Sequence, residues 1–172
     1  TSRDPTVVFG SIESDCRRRD LTINALYYDI TEQRVLDILG CSVDDIEHHI
    51  IRTPDNPDTT FDDDPVRILR AVRLAARYDW DIDPDTYRGM KANVERLSIV
   101  KKERMQAEFD KMLNGPHPVK AMDMLRDIGA MPYVMPELVP MFDLQQNDSH
   151  LGTVWVHTCL LYTSPSPRDR TR

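Results

Sequence analysis

No run of apolar residues in this sequence comes near the roughly 20 needed to cross a bilayer, which excludes a helical membrane protein. Cysteine is scarce. Cys16, Cys41 and Cys159 are odd in number, far apart and in no Cys-x-x-Cys arrangement. That argues against a disulfide framework or a zinc knuckle and points to a reducing cytoplasm. There is no initiator Met and no basic stretch leading into an apolar one, so no secretory signal is expected and the chain reads as cut at its start. Positive charge is also short overall. A formal net charge of -7 opposes indiscriminate binding to a polyanion, so any contact with RNA must be local, where arginines gather against the trend.

What is present is a globular composition, 40% apolar and 30% charged over 172 residues, enough for one or two modest cores. The first third alternates short apolar runs with turn signals. Residues 6–9 read as a strand between Pro5 and Gly10, and a charged helical turn runs from Ser11 to about Asp20. Residues 23–30 and 35–39 read as two strands of a hairpin. Ser42 is expected to cap a short helix, with Ile50 and Ile51 as a further brief strand.

From Asp64 onward the apolar period is helical. Pro65 stands where a first helical residue belongs, behind carboxylates at Asp63 and Asp64, and this helix should run to about Tyr78. Asp83 and Pro84 open a second helix, with Tyr87, Met90, Val94 and Leu97 on one face. A third, about 101–113, buries Met105, Phe109 and Met112. A fourth, from Pro118 to Gly129, buries Val119, Met122 and Leu125, and breaks at Pro132, Pro136 and Pro140 follow. Residues 163–172 switch to Ser, Pro and Arg with no packing face and read as a disordered or non-native tail.

The richest stretch is Phe61-Asp-Asp-Asp-Pro-Val-Arg-Ile-Leu-Arg-Ala-Val-Arg73. At about 100° per residue, Arg67, Arg70, Arg73 and Arg77 fall in one arc of roughly 120°, opposite Leu69, Val72 and Ala76. Asp64 lies three positions before Arg67, so acceptor and donor fork are expected to point together. Taken alone, this is an ordinary capped helix with a solvated basic face. As a nucleotide site, Asp64 accepts from an exocyclic amine and Arg67 donates to a ring acceptor. Cytosine and adenine offer that pattern, whereas uracil and guanine put a carbonyl where the amine would be and leave two acceptors facing each other. A second stretch, Arg17-Arg-Arg-Asp-Leu-Thr-Ile-Asn-Ala-Leu26, suits a triphosphate, with Asp20 able to accept from a ribose hydroxyl. Alone, it reads more simply as a solvated surface run or a structural ion pair.

Three motifs in order, Arg18-Arg-Asp-x-Thr-x-Asn-Ala25, Asp63-Asp-x-x-Arg67-x-x-Arg70-x-x-Arg73 and Glu103-Arg-x-x-x-Glu-Phe-x-Lys-Met-Leu113, resemble the class II tRNA nucleotidyltransferase (CCA-adding) and bacterial poly(A) polymerase family over residues 7–160. The resemblance implies an α+β chain: the C-terminal remnant of a polymerase-β-like nucleotidyltransferase head (1–52), then a helical neck and body bundle (53–145). After these come the start of an HD-type domain (146–161) and the tail (162–172). It implies that Arg19 and Asp20 hold triphosphate and ribose, that Asp64 and Arg67 pair with the incoming base, and that Arg70 and Arg73 make further nucleotide contacts. Asp63 stands where the family usually has Glu.

The implied substrates are ATP, CTP and a tRNA or other RNA 3′ end, and the implied metal is Mg²⁺. The family's metal ligands lie on a Gly-Gly-x-Val-Arg-Asp loop and an Asp-x-Asp strand ahead of the arginine motif, and neither is found ahead of Arg17 here. The catalytic residues are therefore expected upstream of Thr1, and the chain is expected to be inactive by itself. His150-Leu-Gly-Thr-Val-Trp-Val-His157 resembles the opening of an HD phosphohydrolase domain, with His157 in the position of a first metal ligand; the His-Asp pair that should follow is missing. CCA addition to tRNA is the leading reading, because the Asp64 and Arg67 pattern fits both C and A; poly(A) addition and non-catalytic RNA binding through the arginine helix are the alternatives.

Overall fold

The computed structural model describes residues 10–145 and 152–163; the strand expected at 6–9 and residues 164–172 lie outside them. The chain opens with α1, Ile12–Arg17, capped by the Ser11 hydroxyl on the Ser14 amide. The hairpin forms, but shorter than expected: β1, Tyr27–Asp29, pairs antiparallel with β2, Arg34–Leu36. Residues 23 and 24, expected in its first strand, belong to a 3₁₀ turn over Thr22–Asn24 instead. The local cause is Thr22, whose amide bonds the Arg52 carbonyl and whose hydroxyl bonds Asp45, pinning the segment away from any strand partner.

α2, Ser42–Glu47, is capped from outside. Asp37 takes the amides of Gly40 and Val43 at 2.9 and 3.0 Å, and Ser42 is the first helical residue rather than the cap. This corrects the expectation for Ser42: a carboxylate five residues back supplies the acceptor, and the serine side chain is buried. β3, Ile50–Ile51, then runs parallel to β4, Asp81–Ile82, and the crossover between them carries two helices.

The first of these, α3, Pro57–Asp63, was not expected, although Asn56 caps it on the Asp58 amide and Pro57 opens it, the same signal read correctly at Asp83 and Pro84. The second is α4, Val66–Tyr78, the arginine helix. It stops at Asp79, which adopts a left-handed conformation (φ 58°), donates back to the Ala75 and Ala76 carbonyls, and is held by Lys120 at 2.7 Å. α5, Pro84–Asn93, runs into a 3₁₀ segment over Val94–Ile99. α6, Lys102–Leu113, and α7, Pro118–Asp127, appear as expected, except that Val119 is only half-buried and Ala121 takes its place in the core. The proline-rich stretch forms a short helix, α8, Met131–Val134, and a 3₁₀ segment over Pro136–Phe142 rather than simple breaks. α9, Val154–Thr163, extends two residues into the expected tail.

One core joins these pieces. Leu21 and Ile51 from the first third, Phe61 of α3, Ile68, Leu69 and Val72 of α4, Phe109 of α6, Leu125 of α7 and Trp155 of α9 belong to a single buried cluster. α4 is its axis, packed by α6 and α7. Up to Ala76, every α4 residue that is not an arginine is buried, a wider apolar surface than the one side expected. Trp155 locks α9 on by stacking edge-on against Phe142 at 4.7 Å and donating to Asp123 at 3.2 Å.

α3 and α5 meet at Gly89, where a Cβ would stand 2.5 Å from the Pro57 Cβ and 3.5 Å from the Phe61 ring. Alanine in a helix interior gains up to about 1 kcal/mol over glycine, but the proline ring cannot turn aside. Gly89→Ala is therefore expected to cost a net 1–3 kcal/mol or so, as overpacking does. A melting curve at or above that of the wild type would show that the two helices separate freely.

Candidate nucleotide-binding cleft

The arginine face of α4 forms one wall of an open cleft of about 530 Å³, and the turn after α1 forms the other. Arg18, Arg19, Asp20, Asn24, Asp64, Arg67, Arg70, Arg73 and Leu74 line it. Five arginines against two aspartates give a cationic hollow in a chain of charge -7. All six residues singled out from the sequence thus share one cleft, and Arg18 and Asn24 join them. Arg18 belongs to the arginine run read as suiting a triphosphate, whereas Asn24 lay within the motif without a role.

Two helical ideas need correction. Asp64 and Arg67 do not pair through their side chains. Pro65 keeps the preceding residue out of the helical region, so Asp64 is extended (φ -148°, ψ 97°) and the three-residue helical spacing does not apply to it. The Arg67 amide donates to the Asp64 carbonyl at 3.0 Å, while its guanidinium donates to the carbonyls of Arg18 (2.8 Å) and Thr60 (3.4 Å). Arg67 therefore ties the two walls together. The Asp64 carboxylate instead meets Arg104 of α6 at 2.7 Å. Pro65, expected as the first helical residue, is the N-cap.

Asp20 is 5% exposed. One of its oxygens accepts from the Leu21 amide and the Asn24 side chain at 2.9 and 3.1 Å. The other stands 2.9 Å from Arg70 Nη2, yet no N–H is aligned on it, so it keeps unused acceptor capacity in the cleft wall. Asp20 is placed by its neighbour Thr22, whose hydroxyl bonds Asp45 at 2.7 Å. Asp45 also takes Arg52 at 3.0 Å, and Arg52 reaches Asp83, the cap of α5, at 3.1 Å.

Arg19 is gripped by Asp15, one turn earlier, at 2.9 Å, and the Tyr27 hydroxyl bonds the same oxygen. Those two contacts hold the Asp15 carboxyl below its ordinary range, the tyrosine contributing most. Arg73 is more enclosed than Arg19 or Arg70. Its Nε lies 2.6 Å from Glu108 Oε2, and Lys111 bonds the other oxygen at 3.0 Å. Burial alone would raise the Glu108 pKa, but the bonds from Lys111 and Arg73 outweigh it and hold it below 4.5. Glu103-Arg-x-x-x-Glu-Phe-x-Lys-Met-Leu113 acquires a physical meaning from this: Glu108, backed by Lys111 of its own helix, grips Arg73 of the arginine helix, Arg104 takes Asp64 just ahead of it, and Met105, Phe109 and Met112 fasten α6 to the core.

His157 lies on α9, and its amide donates to the Thr153 carbonyl at 3.1 Å. Among the described residues no group of three or more His, Cys, Asp or Glu is placed to hold a metal, so nothing described here fits Mg²⁺ or an HD-type centre. Burial pushes the thiols of Cys16, Cys41 and Cys159 up. No helix is long and apolar enough to cross a membrane.

The cationic, open cleft thus lies between a small α/β element and a helical bundle. Comparison with known proteins supplies the family. Residues 1–52 match the Poly A polymerase head domain and residues 79–142 the probable RNA and SrmB-binding site of polymerase A. The chain is 39% identical over 128 residues to the mitochondrial CCA tRNA nucleotidyltransferase of Saccharomyces cerevisiae, covering 73% of this chain and 23% of the relative. It is 35% identical over 135 residues to Poly(A) polymerase I of Salmonella typhimurium, covering 78% and 29%. Its fold matches the Bacillus stearothermophilus CCA-adding enzyme in complex with CTP, with a TM-score of 0.68 and 33% identity over 72% of this chain and 31% of that one. The chain belongs to the nucleotidyltransferase family of CCA-adding enzymes and bacterial poly(A) polymerases, and it spans less than a third of these relatives.

Proposed function

We propose that this chain is the base-selecting part of a template-independent RNA nucleotidyltransferase that adds C and A to tRNA 3′ ends from CTP and ATP. The observation that carries the reading is the cleft that gathers Arg19, Asp20, Asp64, Arg67, Arg70 and Arg73. In it, Asp64 accepts from the exocyclic amine of cytosine or adenine. Arg67, whose fork is steadied by two carbonyls, uses its remaining N–H groups on the ring acceptor. Arg19 and Arg70 face the triphosphate, Arg73 adds charge from the wall, and Asp20 accepts from the ribose once Arg70 turns from its buried oxygen to the phosphates.

Mg²⁺ is the metal this reading requires, with ligands outside the described residues. The domain division is proposed as head remnant 1–52, neck and body 53–145, and start of a further domain 146–161, in a cytoplasmic protein. On this reading the chain selects nucleotide without transferring it, and incorporation of C or A by the chain alone would overturn that division of labour.

Asp64→Ala and Arg67→Ala are expected to lower the preference for CTP and ATP over UTP and GTP by at least about tenfold while RNA affinity holds. If both variants instead weaken RNA binding alike, with a salt slope and no change in base choice, the arginine helix is a phosphate contact and the base-reading role fails. Poly(A) addition is the second reading, favoured by the likeness to Poly(A) polymerase I. Exclusive use of ATP by a full-length version would establish it.

A further inference from the structure

Asp64 is not held by its own helix. Pro65 leaves it extended at the lip of the cleft, and its two oxygens are in different situations. Oδ1 has a long bond of 3.4 Å from the Val66 amide. Oδ2 is taken at 2.7 Å by Arg104, forty residues away on α6. α6 is a firm mount, because Met105 and Phe109 are buried beside Arg104 and Glu108 is tied to Arg73 of α4.

We propose that Arg104 is a positioning residue for nucleotide selection, acting through Asp64; this rests on the base-reading role proposed above. The chemistry that needs such a residue is specific. Uracil and guanine present a carbonyl where cytosine and adenine present an amine, but each also carries a ring N–H beside that carbonyl. A carboxylate free to turn about its terminal torsion, which is broad and roughly two-fold, could shift to accept from that ring N–H and admit the wrong base. With Oδ2 engaged by Arg104, the carboxylate is held in one orientation, and Oδ1, which has only the long bond from Val66, keeps the greater spare acceptor capacity. The wrong base then meets an acceptor facing an acceptor. Arg104 thus contributes by denying Asp64 an alternative, and its loss should improve the standing of UTP and GTP relative to CTP and ATP.

The test measures binding of CTP, ATP, UTP and GTP to the whole chain by titration calorimetry, for the wild type, Arg104→Met and Arg104→Lys, with a thermal melt of each. Methionine keeps the apolar stem; lysine keeps the charge and can reproduce a single N···O contact. The expected result is that Arg104→Met narrows the preference for CTP and ATP by about tenfold, while Arg104→Lys stays near wild type. Equal weakening of all four nucleotides in Arg104→Met, with the preference unchanged, would overturn the proposal and leave Arg104 a source of charge. A wild-type chain that binds all four alike would remove the base-reading role of Asp64 as well, which separates failure of the earlier reading from failure of this one.

Discussion

Replacing Glu108 with Gln is expected to destabilise the chain by about 3 kcal/mol at pH 7. The glutamine keeps the volume but not the charge, so the change reads the ion pairs alone. Arg73 is only 16% exposed and would stay buried without a counter-charge, whereas Lys111 is half-exposed and recovers water; the cost therefore falls at the lower end for a broken buried pair. The pH dependence has a definite sign. The folded pKa of Glu108 lies below its ordinary 4.5, so the carboxylate contributes fully above that value and its contribution fades as pH falls through the folded pKa. The gap in melting temperature between wild type and Glu108→Gln should be widest at neutral pH and close in acid below 4.5. A gap that stayed constant down to pH 3 would mean that the charge on Glu108 is not what α6 uses to hold α4.

Asp45→Ala is expected to cost about 2–4 kcal/mol, close to a 10 °C fall in melting temperature for a chain of this size. Asp45 is 1% exposed and accepts from both Thr22 and Arg52. Alanine leaves the Thr22 hydroxyl buried without its acceptor and frees Arg52 from one of its two carboxylates. Thr22 is two residues from Asp20, so the damage should reach the cleft. Nucleotide affinity should fall even at temperatures where the variant is folded, and Asp45→Asn, which can still accept one of the bonds, should be milder. Full nucleotide affinity in folded Asp45→Ala would show that the wall carrying Asp20 is set by its backbone alone.

How much of this was legible beforehand depends on the range of each interaction. The helices α4 to α7 were readable because apolar residues recur at helical spacing and Asp-Pro or Pro signals open three of the four. α3 carried the same opening at Asn56 and Pro57, but Thr59, Thr60, Asp62 and Asp63 blur its apolar period. The cleft's membership was readable from motif order. Its wiring was not: Arg104 meets Asp64 across 40 residues, Glu108 meets Arg73 across 35 and Arg67 meets Arg18 across 49, and no local pattern reports such pairs. The one local pairing inferred, Asp64 with Arg67, failed because it extended a helical rule across Pro65. The short hairpin had a similar origin, since the apolar residues from 23 onward read as strand while the bonds made by Thr22 hold residues 22–24 in a turn.

A helix on a protein surface normally has a side where the sequence can drift without penalty. α4 has almost none, for up to Ala76 each position either fills the core or presents an arginine to the cleft. Only Arg77 and Tyr78, in its last turn, are exposed outside that cleft. Mutational tolerance along this helix should therefore rise abruptly at its C-terminal end, and a saturation library of residues 66–78 would be expected to survive selection mainly through changes at those two sites.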